Sequence, residues 1–261
     1  MNFFLFQVYP YIALTVLALG SIARYERDPF TWKSSSSQLL RRKQLILGSV
    51  LFHVGVLIVF FGHLVGLLTP IWAFDTLGIG HTFKQLLAIL VGEIAGVFAL
   101  AGGLMLLQRR LYDPRIRATS SFADIGILVL LIVQLVLGLG TIFVSLRHLD
   151  GEEMVRFMTW SQAIFSFRSD AWELVADASW IFKLHIFLGL TIFLLFPFTR
   201  LVHMLSIPVR YLWRPGYQIV RSRRAAAPEN AGPAAAPLPA TAPPPAPAPK
   251  PTAAAWPRTA E

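Results

Sequence analysis

Two stretches decide the fold, LFHVGVLIVFFGHLVGLLTP at residues 51–70 and KLHIFLGLTIFLLFPFTRLVH at residues 183–203. Each is almost wholly apolar over about 20 residues, the length that an α-helix needs to cross a bilayer core about 30 Å thick. Each also carries two histidines, and ionisable groups at membrane depth are costly and suggest function. We therefore predict membrane-spanning helices that carry functional histidines.

The composition of the whole chain agrees with a membrane protein. Of its 261 residues 55% are hydrophobic and only 14% are charged, whereas about a quarter of a soluble domain is charged. The chain has no cysteine, which excludes disulfides, iron-sulfur clusters, thiolate-bound zinc and covalently attached c-type haem within it. Any redox chemistry must use other ligands.

Five apolar runs are long enough to cross the membrane, and they lie at residues 3–23, 46–68, 84–108, 122–146 and 181–204. The first has no basic residue ahead of it and no cleavage pattern, so we interpret it as a retained helix rather than a signal peptide. The loop at 147–180 is polar and amphipathic, which predicts a short helix at the membrane surface.

Basic residues give the orientation, because Lys and Arg collect on the cytoplasmic side. They cluster in the first and third loops and after the fifth run, while the second loop, 69–83, has none. The sequence thus predicts an all-α protein of five transmembrane helices with a periplasmic N-terminus and a cytoplasmic C-terminus. We expect a membrane domain at residues 1–224 and a disordered Ala/Pro-rich tail at residues 225–261.

The four membrane histidines are His53 and His63 in the second helix and His185 and His203 in the fifth. These helices run antiparallel, so His53 is level with His203 near the cytoplasmic side and His63 with His185 near the outer side. Neutral imidazole is a common axial ligand of haem iron. The topology therefore predicts two b haems stacked between helices two and five.

The axial spacing of the histidines fits this prediction imperfectly. Ten residues of helix rise about 15 Å in the second helix, while eighteen rise about 27 Å in the fifth, so helix tilt, inclined haems or a kink at Pro197 must absorb the difference. Gly55, Gly62, Gly66 and Gly189 lie beside the histidines and leave room for a porphyrin edge. The alternative is that the histidines form hydrogen bonds between helices and that Gly62 and Gly66 are a small-residue packing motif.

The two quoted stretches, together with RRLYDPRIRATS at 109–120 and IPVRYL at 207–212, resemble the gamma subunit of respiratory nitrate reductase, a di-haem cytochrome b. The resemblance covers residues 1–224. It implies a multi-pass subunit of the cell inner membrane that oxidises quinol on the outer side. Electrons would pass through two b haems to a cytoplasmic iron-sulfur beta subunit, and then to a molybdenum-containing alpha subunit that reduces nitrate.

The resemblance also assigns roles to single residues. It implies that His63 and His185 ligate the distal haem, that His53 and His203 ligate the proximal haem, and that Lys84 binds the quinol, with Gly62 leaving room for the quinol ring. Lys84 has a second interpretation as a snorkelling lysine that anchors a helix end. We expect a structural role for Glu93, whereas Arg109, Arg110 and Arg200 fit haem propionates and topology anchors equally well.

Two other functions remain open from the sequence. The chain could serve another quinone-linked complex, such as a formate dehydrogenase or a sulfite- or heterodisulfide-reductase-like module, because these share the architecture. It could also be a haem-free transporter or scaffold that uses the histidines and Glu93 to pass protons or metal ions. In the nitrate reductase interpretation the expected substrate is ubiquinol or menaquinol.

Overall fold

The fold is described here from a computed structural model, which describes residues 1–32, 40–147 and 149–206. The predicted tail at 225–261 and the segment 207–224 lie outside these residues, as do residues 33–39 and 148. The division into a membrane domain and a disordered tail therefore stays a prediction.

The described residues are all-helical, and the prediction of five membrane helices is confirmed. After a π-helical turn at Phe4–Val8 the elements are α1 Tyr9–Arg27, α2 Arg42–Leu68, α3 Ile71–Thr76, α4 His81–Tyr112, α5 Pro114–Ala118, α6 Phe122–Ser145, α7 Glu152–Phe165, α8 Glu173–Ala176 and α9 Trp180–Leu195. Two 3₁₀ segments, Phe196–Phe198 and Arg200–Leu205, follow. The five helices long and apolar enough to span a membrane are Phe4–Arg27, Arg42–Leu68, His81–Tyr112, Phe122–Ser145 and Trp180–Phe198.

The helix starts follow local sequence signals. Helix α6 begins with a capping box, in which the Ser121 hydroxyl accepts from the Asp124 backbone N–H and the Asp124 carboxylate accepts from the Ser121 N–H. The third membrane helix begins at His81, slightly before the predicted position 84, and the preceding loop contains the short helix α3. Both differences lie outside the apolar run, where hydropathy carries little information.

Small residues bring α2 and α4 into close contact. A Cβ added to Gly55 would lie 2.4 Å from the Ala95 carbonyl oxygen, and one added to Gly102 would lie 2.4 Å from the Phe52 nitrogen. Gly55 is therefore a helix-packing residue, and the expectation that it leaves room for a porphyrin edge is wrong. Helix α6 packs against α4 and α9, and α9 also packs against α1.

The polar loop between α6 and α9 contains α7, which agrees with the predicted short helix. Its apolar face is buried, with Met158 and Ala163 almost fully enclosed. The Trp160 indole N–H donates to the Phe6 carbonyl at 3.0 Å, and the Gln162 amide donates to the Thr69 carbonyl at 3.0 Å beside the end of α2. Helix α7 thereby connects the ends of the first two membrane helices.

The fifth crossing is not one continuous α-helix over 181–204. Helix α9 ends at Leu195, and Thr199 is extended, with φ −118° and ψ −179°. Pro197 causes the break, because its nitrogen cannot donate and its ring clashes with the preceding turn. The Arg24 guanidinium of α1 fixes the broken segment by donating to the carbonyls of Pro197 at 2.7 Å and Thr199 at 2.8 Å.

Candidate functional site

The structure brings together the two histidine pairs that the antiparallel topology predicts. The ring centres of His53 and His203 are 6.2 Å apart, with 70° between the ring planes. Those of His63 and His185 are also 6.2 Å apart, with 40° between the planes. Helix α2 thus presents both of its imidazoles to the segment that contains α9 and the 3₁₀ turn after it.

The separation within each pair fits a metal ion between the rings. A metal–imidazole bond is about 2 Å long and a ring centre lies about 1.1 Å from its atoms, so two imidazoles on opposite sides of one metal have centres about 6 Å apart. No hydrogen bond joins the imidazoles of either pair within the described part of the chain. The geometry therefore disfavours the alternative that hydrogen bonds between the paired histidines hold α2 to the fifth crossing.

Three of the four imidazoles are oriented by a backbone carbonyl. Their Nδ1 atoms lie at hydrogen-bond distance from a carbonyl oxygen three or four residues earlier, in the pairs His53 and Ser49 (2.8 Å), His63 and Val59 (2.8 Å), and His203 and Arg200 (2.5 Å). When Nδ1 donates its proton to a carbonyl, the lone pair of Nε2 is available for a metal. These contacts prepare the tautomer that a metal ligand needs.

His185 is held differently, by two residues of α6. The Gln134 side-chain Nε2 donates to the His185 backbone oxygen at 3.1 Å and lies 3.4 Å from His185 Nε2. A Cβ at Gly138 would be 3.0 Å from His185 Cε1. The sequence analysis missed Gln134, although a polar side chain in the middle of an apolar helix was the available signal.

Each histidine pair offers a metal ion only two ligands, so the remaining ligands would have to come from a bound cofactor. Residues 1–32, 40–147 and 149–206 contain no group of three or more His, Cys, Asp or Glu side chains that could hold a metal ion. A porphyrin provides four nitrogens and needs one imidazole on each face. The paired histidines fit haem in this respect.

Gly62 and Gly66 lie in open space. Apart from the adjacent residues and the nearby backbone of the same helix, no atom of the described residues is within 4 Å of a Cβ built at either position. They therefore do not pack against another helix here, in contrast to the small-residue alternative. A Cβ at Gly189 would instead lie 3.1 Å from Gln134 Nε2, so this glycine makes room for the amide.

Lys84 is buried near the beginning of α4, and 7% of its surface is exposed. Its Nζ lies 2.8 Å from Met158 Sδ and 4.2 Å from the centre of the Phe74 ring. The burial argues against a snorkelling lysine, whose ammonium would reach water. A thioether sulfur is a weak acceptor and a ring face accepts through its quadrupole, so the ammonium keeps capacity to donate to a ligand oxygen.

Comparison with known proteins decides the family. The sequence profile of the nitrate reductase gamma subunit matches residues 2–223. The chain belongs to this family. It is 47% identical to respiratory nitrate reductase 1 gamma chain of Escherichia coli K12 over 223 residues, which are 85% of this chain and 98% of the relative. It is 48% identical to respiratory nitrate reductase 2 gamma chain of the same strain over 224 residues, 86% of this chain and 98% of the relative.

A more distant relative extends the match. The nitrate reductase gamma chain of Bacillus subtilis 168 is 41% identical over 219 residues, which are 84% of this chain and 97% of that protein. The resemblance seen in the sequence is thereby confirmed. As a member of the gamma subunit family with five apolar helices, the chain is a multi-pass membrane subunit of a nitrate reductase complex.

Three arginines of this gamma subunit family member bind groups of the protein itself. Arg109 is 2% exposed and donates to the Leu40 carbonyl at 2.6 Å. The other two contacts join Arg110 Nη1 to Ser120 Oγ at 3.0 Å and Arg200 Nε to Asp124 Oδ1 at 3.6 Å. These contacts hold loops and helix ends, which favours the structural interpretation of these residues over the binding of propionates.

Three other ionisable groups take different positions. Glu93 is exposed on the outer face of α4. His81 Nε2 lies 3.6 Å from Asp75 Oδ1 at the start of α4. Arg24, near the end of α1, fixes the segment that carries His203.

Proposed function

We propose that this chain is the quinol-oxidising cytochrome b subunit of a respiratory nitrate reductase. In this proposal His53 and His203 hold the proximal b haem, and His63 and His185 hold the distal one. The observation that carries the proposal is the pair of equal ring separations, 6.2 Å in each pair. Two chance contacts have no reason to share the spacing that one metal between two imidazoles requires.

The residues of the chain define a direction for the reaction. The basic residues of the loops support an orientation with the N-terminus and the His63–His185 pair on the outer side and the His53–His203 pair on the cytoplasmic side. When bound, the two haems carry single electrons between these sides. Inward movement of one charge against the membrane is worth about 2.3 kcal/mol per 100 mV, so the subunit conserves energy rather than reducing nitrate itself.

Lys84 and His63 belong to the quinol site in this proposal. The buried Lys84 ammonium donates a hydrogen bond to a quinol oxygen, since its contacts with Met158 and Phe74 are weak. The open space beside Gly62 leaves room for the quinol ring next to His63. The protons of the quinol leave on the outer side. Ubiquinol and menaquinol both carry the ring hydroxyl oxygen that Lys84 would bind, so either can be the substrate in this proposal.

The chain acts with partners in this proposal. Since it contains no cysteine, it cannot ligate iron-sulfur clusters, and a cytoplasmic beta subunit must supply them. That subunit passes electrons to a molybdenum-containing alpha subunit, where nitrate is reduced. The cell inner membrane is the compartment in which quinol, an outer side and a cytoplasmic partner are all available.

The test is a substitution of His63 by leucine in the assembled complex. We expect loss of the distal haem, loss of quinol-driven nitrate reduction and survival of dye-driven reduction, because dyes deliver electrons to the partner subunits. His81→Leu is the matched control, since it removes a histidine outside the pairs and should retain both haems. A wild-type chain that binds no haem, or quinol turnover that persists in His63→Leu, would overturn the proposal.

A further inference from the structure

The imidazole of His185 differs from the other three because no backbone carbonyl of its own helix accepts from its Nδ1. Its Nδ1 is buried without a partner among the residues that the structure describes. The other three imidazoles each have a backbone carbonyl at Nδ1. The position of His185 must therefore be set by contacts from outside its own helix.

Those contacts come from α6, at a place built to receive a side-chain amide. Gln134 Nε2 donates to the His185 backbone oxygen at 3.1 Å, which fixes the amide against α9. Gly189 makes room for it, because a Cβ there would lie 3.1 Å from the same nitrogen. Gly138 makes room for the ring, with a Cβ position 3.0 Å from His185 Cε1.

The amide also presents positive charge to the ring. Gln134 Nε2, which donates one N–H to the backbone oxygen, also lies 3.4 Å from His185 Nε2, the limit of a hydrogen bond. With His185 Nε2 bound to a metal, the second N–H of the amide would lie beside the ring without an acceptor there. The side-chain Oε1 of Gln134 is buried without a partner in the described part of the chain. A buried polar group without a partner has a free-energy cost, so the amide is expected to have a function that offsets it.

We propose that Gln134 is a positioning residue for His185, and that its amide N–H raises the reduction potential of the iron that His185 binds. The inference rests on the proposed function, because it requires a haem at the His63–His185 pair. The positive end of an N–H dipole close to an axial ligand favours the ferrous over the ferric state, since the ferrous state carries one positive charge less. The hydrogen-bond contacts of the Gln134 amide in the described residues are with His185, so the haem at this pair should respond and the other should not.

The experiment is a potentiometric titration of both haems in the assembled complex, combined with electron paramagnetic resonance of the ferric haems. Gln134→Met keeps the length of the side chain and removes the amide. We expect the reduction potential of the distal haem to fall by about 59 mV. For a one-electron couple this corresponds to about a tenfold increase in the ferric-to-ferrous ratio at a fixed potential. Its low-spin signal should move as well, while the proximal haem keeps its potential and signal.

A second variant and a control make the outcome independent of folding. Gln134→Glu has the same shape and replaces the N–H donor by an oxygen, so the potential of the distal haem should again be lowered. Thr191→Val removes a polar group of α9 that contacts the Phe187 carbonyl and the Tyr9 hydroxyl, and it should move neither potential. The distal haem is identified as the one that His63→Leu removes.

Each outcome supports or overturns the inference. A lowered distal potential, or loss of the distal haem alone, supports it. An unchanged or raised distal potential, an equal shift in both haems, or loss of both haems would overturn it. If the wild-type complex holds two haems and only the Gln134 variants behave unexpectedly, this inference fails while the proposed function stands. If the wild type holds no haem, the proposed function itself fails.

Discussion

Replacement of Arg24 by methionine should release the proximal haem while the distal haem stays bound. Arg24 donates to the carbonyls of Pro197 at 2.7 Å and Thr199 at 2.8 Å, and so fixes the chain just before the 3₁₀ turn that carries His203. A hydrogen bond to a charged group contributes about 1.5–3 kcal/mol. Because Arg24 is partly exposed, we take the lower value for each bond, about 3 kcal/mol in total.

This energy converts into haem retention at a tenfold change per 1.4 kcal/mol. The proximal haem should therefore bind about 10²-fold more weakly in Arg24→Met, and the distal haem should be unaffected. Haem content and potentiometric titration after detergent extraction measure this. Arg27→Met is the matched control, because it removes the same charge from the same exposed helix end. Equal loss of both haems, or full retention of the proximal haem, would refute the reasoning.

Three further predictions concern glycines and the buried lysine. Gly138→Ala should alter the absorption spectrum of the distal haem and lower its content, because the new Cβ would lie 3.0 Å from His185 Cε1. Gly126→Ala is the control on the same helix. It has open space around it and should leave the absorption spectrum unchanged. Lys84→Gln should raise the KM for quinol without loss of haem. Steady-state kinetics should show the change with quinol as the electron donor and no change with a dye as the donor. Gly62→Ala should fold normally, because no atom of another element lies within 4 Å of the new methyl group. Any effect should appear only in the kinetics of quinol oxidation. Loss of haem from this variant would contradict the conclusion that Gly62 faces open space.

The number of membrane helices could be predicted from the sequence because the bilayer imposes a simple rule. Without water in the membrane core every backbone group must be satisfied within a helix, so each crossing is a long apolar run. The pairing of His53 with His203 and of His63 with His185 was predictable for a similar reason. Helices α2 and α9 are the second and fifth crossings, with two crossings between them, so they run antiparallel, and this direction fixes which residues are level.

The supporting contacts of the site could not be predicted from the same rules. Gly55 and Gly62 look alike in the sequence, yet Gly55 contacts α4 closely and Gly62 faces open space. Which face of α2 meets α4 depends on residues about 40 positions further along the chain. Arg24 shows the same limit, since its hydrogen bonds reach carbonyls in the segment after α9 and no local pattern reveals them.

The mismatch between the two histidine spacings has a structural explanation in the break of the fifth crossing. His53 and His63 are ten residues apart in an unbroken helix, and ten residues also separate His185 from Leu195, where α9 ends. Both helical stretches rise about 15 Å. The eight residues from Phe196 to His203 form 3₁₀ turns around the extended Thr199, and they bring the last imidazole to the same 6.2 Å from its partner. The break at Pro197 thus allows His203 to lie level with His53 while His185 lies level with His63. A continuous helix would carry His203 about 12 Å beyond the level of His53.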